Sequence, residues 1–446
     1  MNYKKLYFLG IGGIGMSAIA RYFNGLGVEI HGYDKTQTEL TKNLEKEGMK
    51  IHYEEDISLI PKALDLVIWT PAIPKEHKEL IWFRDNGFEL KKRAEVLGII
   101  SRAKKALAIA GTHGKTSTTS ILTHILKEGG VDCSAFLGGI AMNYESNFVL
   151  GKDDYVVVEA DEFDRSFLHL NPQLAAIMSM DPDHLDIYGD EQSILDTGFL
   201  AFAKKVNPGG TLIVNEAFLQ HFDNEEVSSF GIEKGDYQAQ NVRAEKGFMV
   251  FDIKHPKGVI KNLKFTLPGR HNVMNATAAI AIALQVKAKV GGIRKGLKNF
   301  KGIKRRFEFL VREKDCVYID DYAHHPTELD AAISAAKMFY PNKKITGVFQ
   351  PHLFTRTRDF AEGFAAALDT LDEVLLMDIY PAREKPIEGV NADMVFSMMK
   401  NSNKIRVNKG NLLEELKKKE IEVLMTLGAG DIDIFRIPIR NWLKKD

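Results

Sequence analysis

Only two cysteines, Cys133 and Cys316, occur in 446 residues. They stand far apart with no metal-ligand spacing, which argues against a disulfide framework or a cysteine zinc site and suits a reducing compartment. An excess of one charge is also missing, because 60 Lys plus Arg balance 60 Asp plus Glu. No broad basic field for nucleic acid is implied. No uninterrupted apolar run reaches the ~18–20 residues that span a bilayer, and neither a low-complexity tract nor a short-period repeat is present. The opening "MNYKKLYFLGIGGIGMSAIA" imitates a secretory leader through its lysines, apolar run and Ala18-x-Ala20. Its regularly placed glycines are not what a leader core requires. The expectation is a cytoplasmic protein without membrane or nucleic-acid partners, monomeric or weakly homodimeric.

What is present is ordinary for a globular chain, 45% hydrophobic and 27% charged, and the length suggests about three domains. "KLYFLGIGGIGMSAIARYFNGLGVEIHGYD" reads as strand, glycine turn, helix, strand. "DLVIWTPAI", "DDYVVVEAD", "QLAAIMSMD", "KITGVFQPH", "EVLLMDIYP" and "IEVLMTLGAGD" read as further buried strands. They alternate with helical segments such as 117–127, 276–285 and 327–338. Such alternation predicts α/β domains with mainly parallel sheets. Divisions near residues 102 and 312 give domains at 1–102, 103–312 and 313–446. Shorter apolar runs and turn signals over 207–265 predict an antiparallel excursion within the middle domain.

Two glycine loops carry the first chemical signals. Gly10, Gly12, Gly13 and Gly15 match the G-x-G-x-x-G fingerprint between strand and helix, where Gly12 would let backbone approach a pyrophosphate at the helix N-terminus. Asp34 ends the next strand, where a ribose-binding acid is expected. Alone, this loop fits an NAD-dependent oxidoreductase, another nucleotide diphosphate or a tight turn with no ligand. The second loop, "GTHGKTSTT", begins at Gly111 and lacks the glycine that a general P-loop would place at Ile109. Its backbone can still cradle phosphate, with Lys115 reaching the terminal phosphate and Thr116 offering a hydroxyl to Mg²⁺.

Downstream residues supply partners for such a site. Glu159 ends an apolar strand, and His184 stands in "DPDHLDIY" after the next one. With Thr116 they could surround hard cations, although histidine is unusual for Mg²⁺; otherwise the acids are solvated loop charges. Asn272 and Asn275 fall at (i, i+3), able to bind a base or to cap their helix. Arg306 can neutralise developing phosphate charge. Asp321, His324 and His325 precede a helix opened by Pro326, and His352, Arg356 and Arg358 follow another strand. Cationic groups at sheet ends suit carboxylate recognition.

Taken in order, "GTHGKTSTT", "VEADEFDRSFL", "DPDHLDIY", "GRHNVMNA", "GIKRRFEF", "DDYAHHPTE" and "QPHLFTRTRD" resemble the Mur ligases of peptidoglycan synthesis. The resemblance runs from Gly10 to "LGAGDI" at 427–432, nearly the whole chain. It implies a Rossmann-like N-terminal domain, a central P-loop ATPase-type α/β domain and a Rossmann-like C-terminal domain. The short loop then becomes a family spelling, with Gly111, Thr112, His113, Gly114, Lys115, Thr116 and Ser117 on ATP. Thr116 and Glu159 are implied to hold one Mg²⁺ and His184 a second, while Asn272 and Asn275 lie on the adenine side. Arg306 and Asp321 match the linker arginine and the ribose-side acid. Gly10, Gly12, Gly13 and Gly15 would hold the pyrophosphate of a UDP-sugar, with Asp34 near the uridine, and His324, His352 and Arg356 would surround the amino acid.

The implied reaction is ATP-dependent joining of L-alanine to UDP-N-acetylmuramate through an acyl phosphate. Attachment of a preformed tripeptide to the same sugar nucleotide is the nearest alternative, and an NAD oxidoreductase the alternative from another class. Two stretches depart from the family. Where several members carry a carbamylated lysine about fifteen residues after the metal-binding histidine, this chain has "DTGFLAF", with Lys204 and Lys205 only later. "WTPAIPKEHKEL" also replaces a serine-containing stretch, which affects the sugar-nucleotide contacts around residues 70–73.

Overall fold

The computed structural model describes residues 3–181, 185–222, 227–382 and 384–444. Three sheets follow one another along the chain. The first contains β1 (Lys5–Leu9), β2 (Glu29–Tyr33), β3 (Lys50–His52), β4 (Leu66–Trp69) and β5 (Leu90–Lys92) in the order β3-β2-β1-β4-β5. Every neighbouring pair is parallel. Along β1, Leu6 and Phe8 enter one core cluster while Tyr7 and Leu9 enter another. This period of two, with both faces covered, explains why the strand reads as an unbroken apolar run.

The second sheet contains β6 (Lys105–Ala110), β7 (Ser134–Ala141), β8 (Ser146–Val149), β9 (Tyr155–Ala160), β10 (Leu174–Ile177), β11 (Thr211–Asn215), β12 (Val227–Ile232), β13 (Tyr237–Glu245), β14 (Phe248–His255) and β15 (Gly258–Phe265). Its order is β15-β14-β13-β12-β11-β10-β6-β9-β7-β8. β6 lies between β10 and β9, parallel to both, so its carboxyl end opens at a point where the chain leaves in two directions. The antiparallel excursion expected over 207–265 does not begin as foreseen, because β11, β12 and β13 each add in parallel. Short apolar runs and turn residues mark strand ends there without setting strand direction.

The third sheet contains β16 (Glu308–Arg312), β17 (Val317–Asp321), β18 (Ile345–Phe349), β19 (Glu373–Leu376), β20 (Lys404–Arg406) and β21 (Val423–Leu427), ordered β16-β17-β21-β18-β19-β20. β16 runs antiparallel to β17 and the remaining pairs are parallel. Val317, Ile319, Val423 and Met425 fill one face, and Tyr318 and Leu424 the other.

Backbone packing groups the chain into two compact units. One comprises Met1–Asn241, Phe251–Lys264 and Met274–Lys301; the other comprises Val242–Val250, Phe265–Val273 and Gly302–Asp446. The first sheet and the start of the second share one of these units. The helix Ile14–Gly25 lies against β7 and β8, with the Tyr22 ring 5.5 Å from Phe136 and 6.0 Å from Phe148. Asn147, wholly buried, donates from Nδ2 to the Ile14 carbonyl at 2.5 Å and to Ser17 Oγ at 2.8 Å, and accepts from Arg21. β16 pairs with β17, and the second unit takes up the chain from Gly302. Among the described residues, no helix is long and apolar enough to cross a membrane.

Asn147→Ala leaves the Arg21 guanidinium and the Ile14 carbonyl without this buried partner. The expected cost is about 1–3 kcal/mol, read as a lower urea midpoint for the unit that contains it.

Candidate active site

β6 ends at Ala110, and the chain turns through Gly111 at φ +132° and Gly114 at φ +84° into the helix Lys115–Glu128. Both angles favour glycine, and space requires it as well. A Cβ on Gly111 would stand 2.8 Å from the Ser179 nitrogen, and one on Gly114 would stand 2.6 Å from Asn275 Oδ1. Ser179 braces the turn, its Oγ 2.8 Å from Thr112 Oγ1 and accepting from the His113 N–H at 2.8 Å. The loop is thus short yet fully supported from β10's carboxyl end.

Lys115 folds back over this loop. Its Nζ donates to the Gly111 carbonyl at 2.7 Å and to both Glu162 oxygens at 2.9 and 2.7 Å. Burial opposes the charge, but Glu162, Asp161 and Glu159 outweigh it and hold the ammonium pKa above its ordinary value. Thr116 Oγ1 donates to Glu159 Oε1 at 3.0 Å, while the Gly138 N–H donates to Glu159 Oε2 at 3.0 Å. Glu159 therefore stands where expected beside Thr116, whereas the intimate partner of Lys115 is Glu162. Its burial between Lys115 and Tyr188, whose hydroxyl donates to the Glu162 carbonyl at 2.8 Å, had no local sequence signal. His184 lies outside the described residues, and among the described residues no three His, Cys, Asp or Glu side chains gather as a metal cluster.

The two asparagines separate. Asn275 is buried beside Gly114, while Asn272 donates from Nδ2 to the Pro268 carbonyl at 2.7 Å, a local bond at its helix start. The "DTGFLAF" departure resolves into packing: Phe199 is fully buried, its ring 5.7 Å from Phe167. Core occupies that position.

In the first loop, Gly10 at φ +84° follows β1 and its N–H donates to the Tyr33 carbonyl at 2.8 Å. The Gly12 N–H donates to Asp34 Oδ2 at 2.7 Å, and a Cβ on Gly12 would meet that oxygen at 2.7 Å. Asp34 is thus tied to the loop itself. Gly13 caps the helix Ile14–Gly25, and Thr70 closes over Gly10 with its Cγ2 3.0 Å from where a Cβ would stand. Gly13, Gly15, Thr70, Arg93, Gly138, Glu159 and Asp161 line one cavity of about 290 Å³. Residues of the first loop and the Thr116-bonded Glu159 share its wall.

In the second unit, His324 and His352 come together with ring centroids 6.2 Å apart, and Arg356 Nη1 lies 3.4 Å from His352 Nδ1. His352 stacks on Tyr380 at 5.7 Å. Leu353 is held at φ +72°, costly for a branched residue, where its N–H donates to the Tyr380 carbonyl at 2.9 Å. The His-His pair divides: His325 caps the helix Pro326–Phe339, whereas His324 donates its N–H to Glu328 at 3.0 Å. Burial is the main cause holding the His324 imidazole below its ordinary value. Arg306 Nη1 stands 3.8 Å from Glu328. Asp321 accepts from the Phe307 and Ala323 N–H groups at 2.7 Å each, and burial, opposed by Arg306, pushes its carboxyl up to about 6. Glu328, facing both His324 and Arg306, was not singled out from sequence.

Comparison with known proteins agrees with this layout. Residues 5–105 match the Mur ligase family catalytic domain, 109–283 the Mur ligase middle domain, and 305–432 the Mur ligase glutamate ligase domain. The chain is 51% identical to a UDP-N-acetylmuramate–L-alanine ligase of Christiangramia forsetii, covering 96% of this chain and 95% of that one. It is 50% identical to a protein of the same name from Flavobacterium psychrophilum, covering 98% of each. The crystal structure of a UDP-N-acetylmuramate–alanine ligase from Thermotoga maritima superposes with TM-score 0.85 at 28% identity, covering 100% of both. A murein peptide ligase from Psychrobacter arcticus shares the fold with TM-score 0.70 at 21% identity, covering 99% of both. On these grounds the chain belongs to the Mur ligase family.

Proposed function

We propose that this chain joins L-alanine to the lactyl carboxylate of UDP-N-acetylmuramate, with ATP as co-substrate. The observation that carries this reading is the single cavity shared by the first glycine loop and Glu159. It lets one substrate lie on the sugar-nucleotide loop while its far end approaches the ATP loop. The relatives at about half identity bear this activity's name, whereas the tripeptide alternative rests on a likeness of fold.

In this reading the backbone of Gly111, Thr112, His113 and Gly114, with Ser117 at the helix start, cradles ATP phosphates, and Asn275 and Asn272 serve the adenine side. Lys115 is already charged and leaves the Gly111 carbonyl to meet the terminal phosphate. Thr116 and Glu159 offer hydroxyl and carboxylate oxygens, the donor chemistry Mg²⁺ prefers, so the residues fit the ion; His184 is assigned beside them on resemblance. Bound there, Mg²⁺ would neutralise phosphate charge. The lactyl carboxylate attacks the γ-phosphorus, releasing ADP and leaving an acyl phosphate, with Lys115 and Arg306 offsetting negative charge. The alanine amine then forms the amide bond, expelling phosphate and losing a proton. Arg356 is assigned to the alanine carboxylate, and His324, whose imidazole burial holds below its ordinary value, and His352 to the wall around it. Asp321 holds the Arg306–Phe307 turn and faces the ribose side.

Phosphate release from ATP, measured with UDP-N-acetylmuramate and Mg²⁺, is expected with L-alanine and not with the L-Ala-D-Glu-meso-diaminopimelate tripeptide, with the amide product identified by mass. Turnover with the tripeptide alone would reassign the acceptor, and reduction of NAD without phosphate release would overturn the ligase reading. Lys115→Ala should slow phosphate release by roughly 10²–10³-fold while calorimetry still records sugar-nucleotide binding. Wild-type turnover in that variant removes Lys115 from the mechanism.

Asp321 gives a pH signature. Its folded carboxyl titrates at about 6, above the usual carboxylate value near 3.9, so the folded state holds the extra proton between those limits. The stability advantage of the wild type over Asp321→Asn should therefore fall as pH rises from about 4 to about 6 and stay level above. Urea midpoints across that range measure it, and a flat difference contradicts the burial of this carboxyl.

A further inference from the structure

The third glycine of a dinucleotide fingerprint ordinarily permits close helix–strand packing. Gly15 serves a different neighbour here. A Cβ at Gly15 would stand 2.9 Å from both Cδ and Nη1 of Arg93, the nearest atoms it would meet. The missing side chain makes room for a guanidinium laid over the first turn of the helix Ile14–Gly25. Arg93 is itself the first residue of the helix Arg93–Ala103, a position where the helix dipole disfavours a cation. Its backbone entry is fixed by the Lys92 N–H, which donates to Glu95 Oε2 at 2.6 Å.

The charge so placed faces the cavity. Among the described residues lining it, Arg93 is the one cation, opposite Glu159 and Asp161. Its ion-pair partner Asp161 stands at 4.0 Å, the outer limit of such a pair, with side chains 24% and 36% exposed. A loose surface pair of this kind stabilises little, so it does not account for a glycine kept clear and a cation set at a helix start.

We propose that Arg93 clamps the diphosphate of the sugar nucleotide, its planar fork gripping phosphate oxygens while the Gly10–Gly13 turn presents backbone N–H groups. The assignment rests on the sugar-nucleotide reading of the first loop. A lactyl carboxylate would offer the same anionic chemistry, but the guanidinium lies on the turn that opens the Ile14–Gly25 helix, which favours the diphosphate.

Calorimetry with UDP-N-acetylmuramate, UDP-N-acetylglucosamine and ATP tests this on the wild type, Arg93→Met, Arg93→Lys, Gly15→Ala and the Gly15→Ala/Arg93→Met double variant. Arg93→Met should weaken both sugar nucleotides roughly 10- to 100-fold and leave ATP unchanged, with Arg93→Lys recovering part of the loss. Gly15→Ala need displace only a long flexible side chain, so it should fold, weaken both nucleotides, and add nothing further in the Arg93→Met background. Undiminished binding by Arg93→Met overturns the proposal. A loss confined to UDP-N-acetylmuramate assigns the guanidinium to the carboxylate instead, and an equal loss for ATP reduces Arg93 to a packing role. Failure of the wild type to bind either sugar nucleotide removes the reading of the first loop itself, and Arg93's role with it.

Discussion

Glu159 is gripped from two sides, by the Thr116 hydroxyl at the start of one helix and by the Gly138 N–H on β7. This double hold ties the phosphate-type loop to the strand that carries the cavity wall. It fixes where a hard cation could sit and how far a substrate on the first glycine loop must reach. Glycine at 138 is part of the same constraint, since a Cβ there would collide with the Glu159 carboxylate. A carboxylate with both oxygens committed needs little reorganisation when charge arrives, which is what a site for phosphoryl transfer requires.

Around that joint, charge is concentrated without gathering, among the described residues, into a metal cage. Lys115 is surrounded by Glu159, Asp161 and Glu162, and its ammonium is held charged despite burial. Three acids about one lysine leave negative potential to spare, which polyphosphate alone would find repulsive. In the proposed reading, a divalent cation entering with the nucleotide would offset that charge.

In the second unit, backbone strain helps to place a site residue. Leu353 at positive φ delivers His352 onto Tyr380, and Asp321, accepting two backbone N–H groups, sets the turn that presents Arg306. "DDYAHHPTE" advertised the adjacent histidines, yet could not say that His325 would cap a helix while His324 would face Glu328. That choice depends on which backbone N–H is left unsatisfied at the helix start, and on a carboxylate one helical turn away.

Strand–helix alternation, two glycine turns and an ordered set of short motifs were written locally, through apolar runs, φ-permissive residues and helix starts, and they sufficed for an α/β chain with two nucleotide-type loops. They also carried Lys115, Thr116, Glu159 and Asn275, whose placement follows from lying at the ends of neighbouring parallel strands or at the helix behind the loop. Tertiary structure alone decided what is non-local. Glu162 became the partner of Lys115, Asn147 on β8 bonded to the start of the helix Ile14–Gly25, β11–β13 ran parallel, and Gly15 proved to shelter Arg93, 78 residues further along the chain. The reason is physical: a turn or a buried strand is specified by its own dihedrals and hydrophobicity, whereas an ion pair or a carved-out space exists only once distant segments are packed against each other.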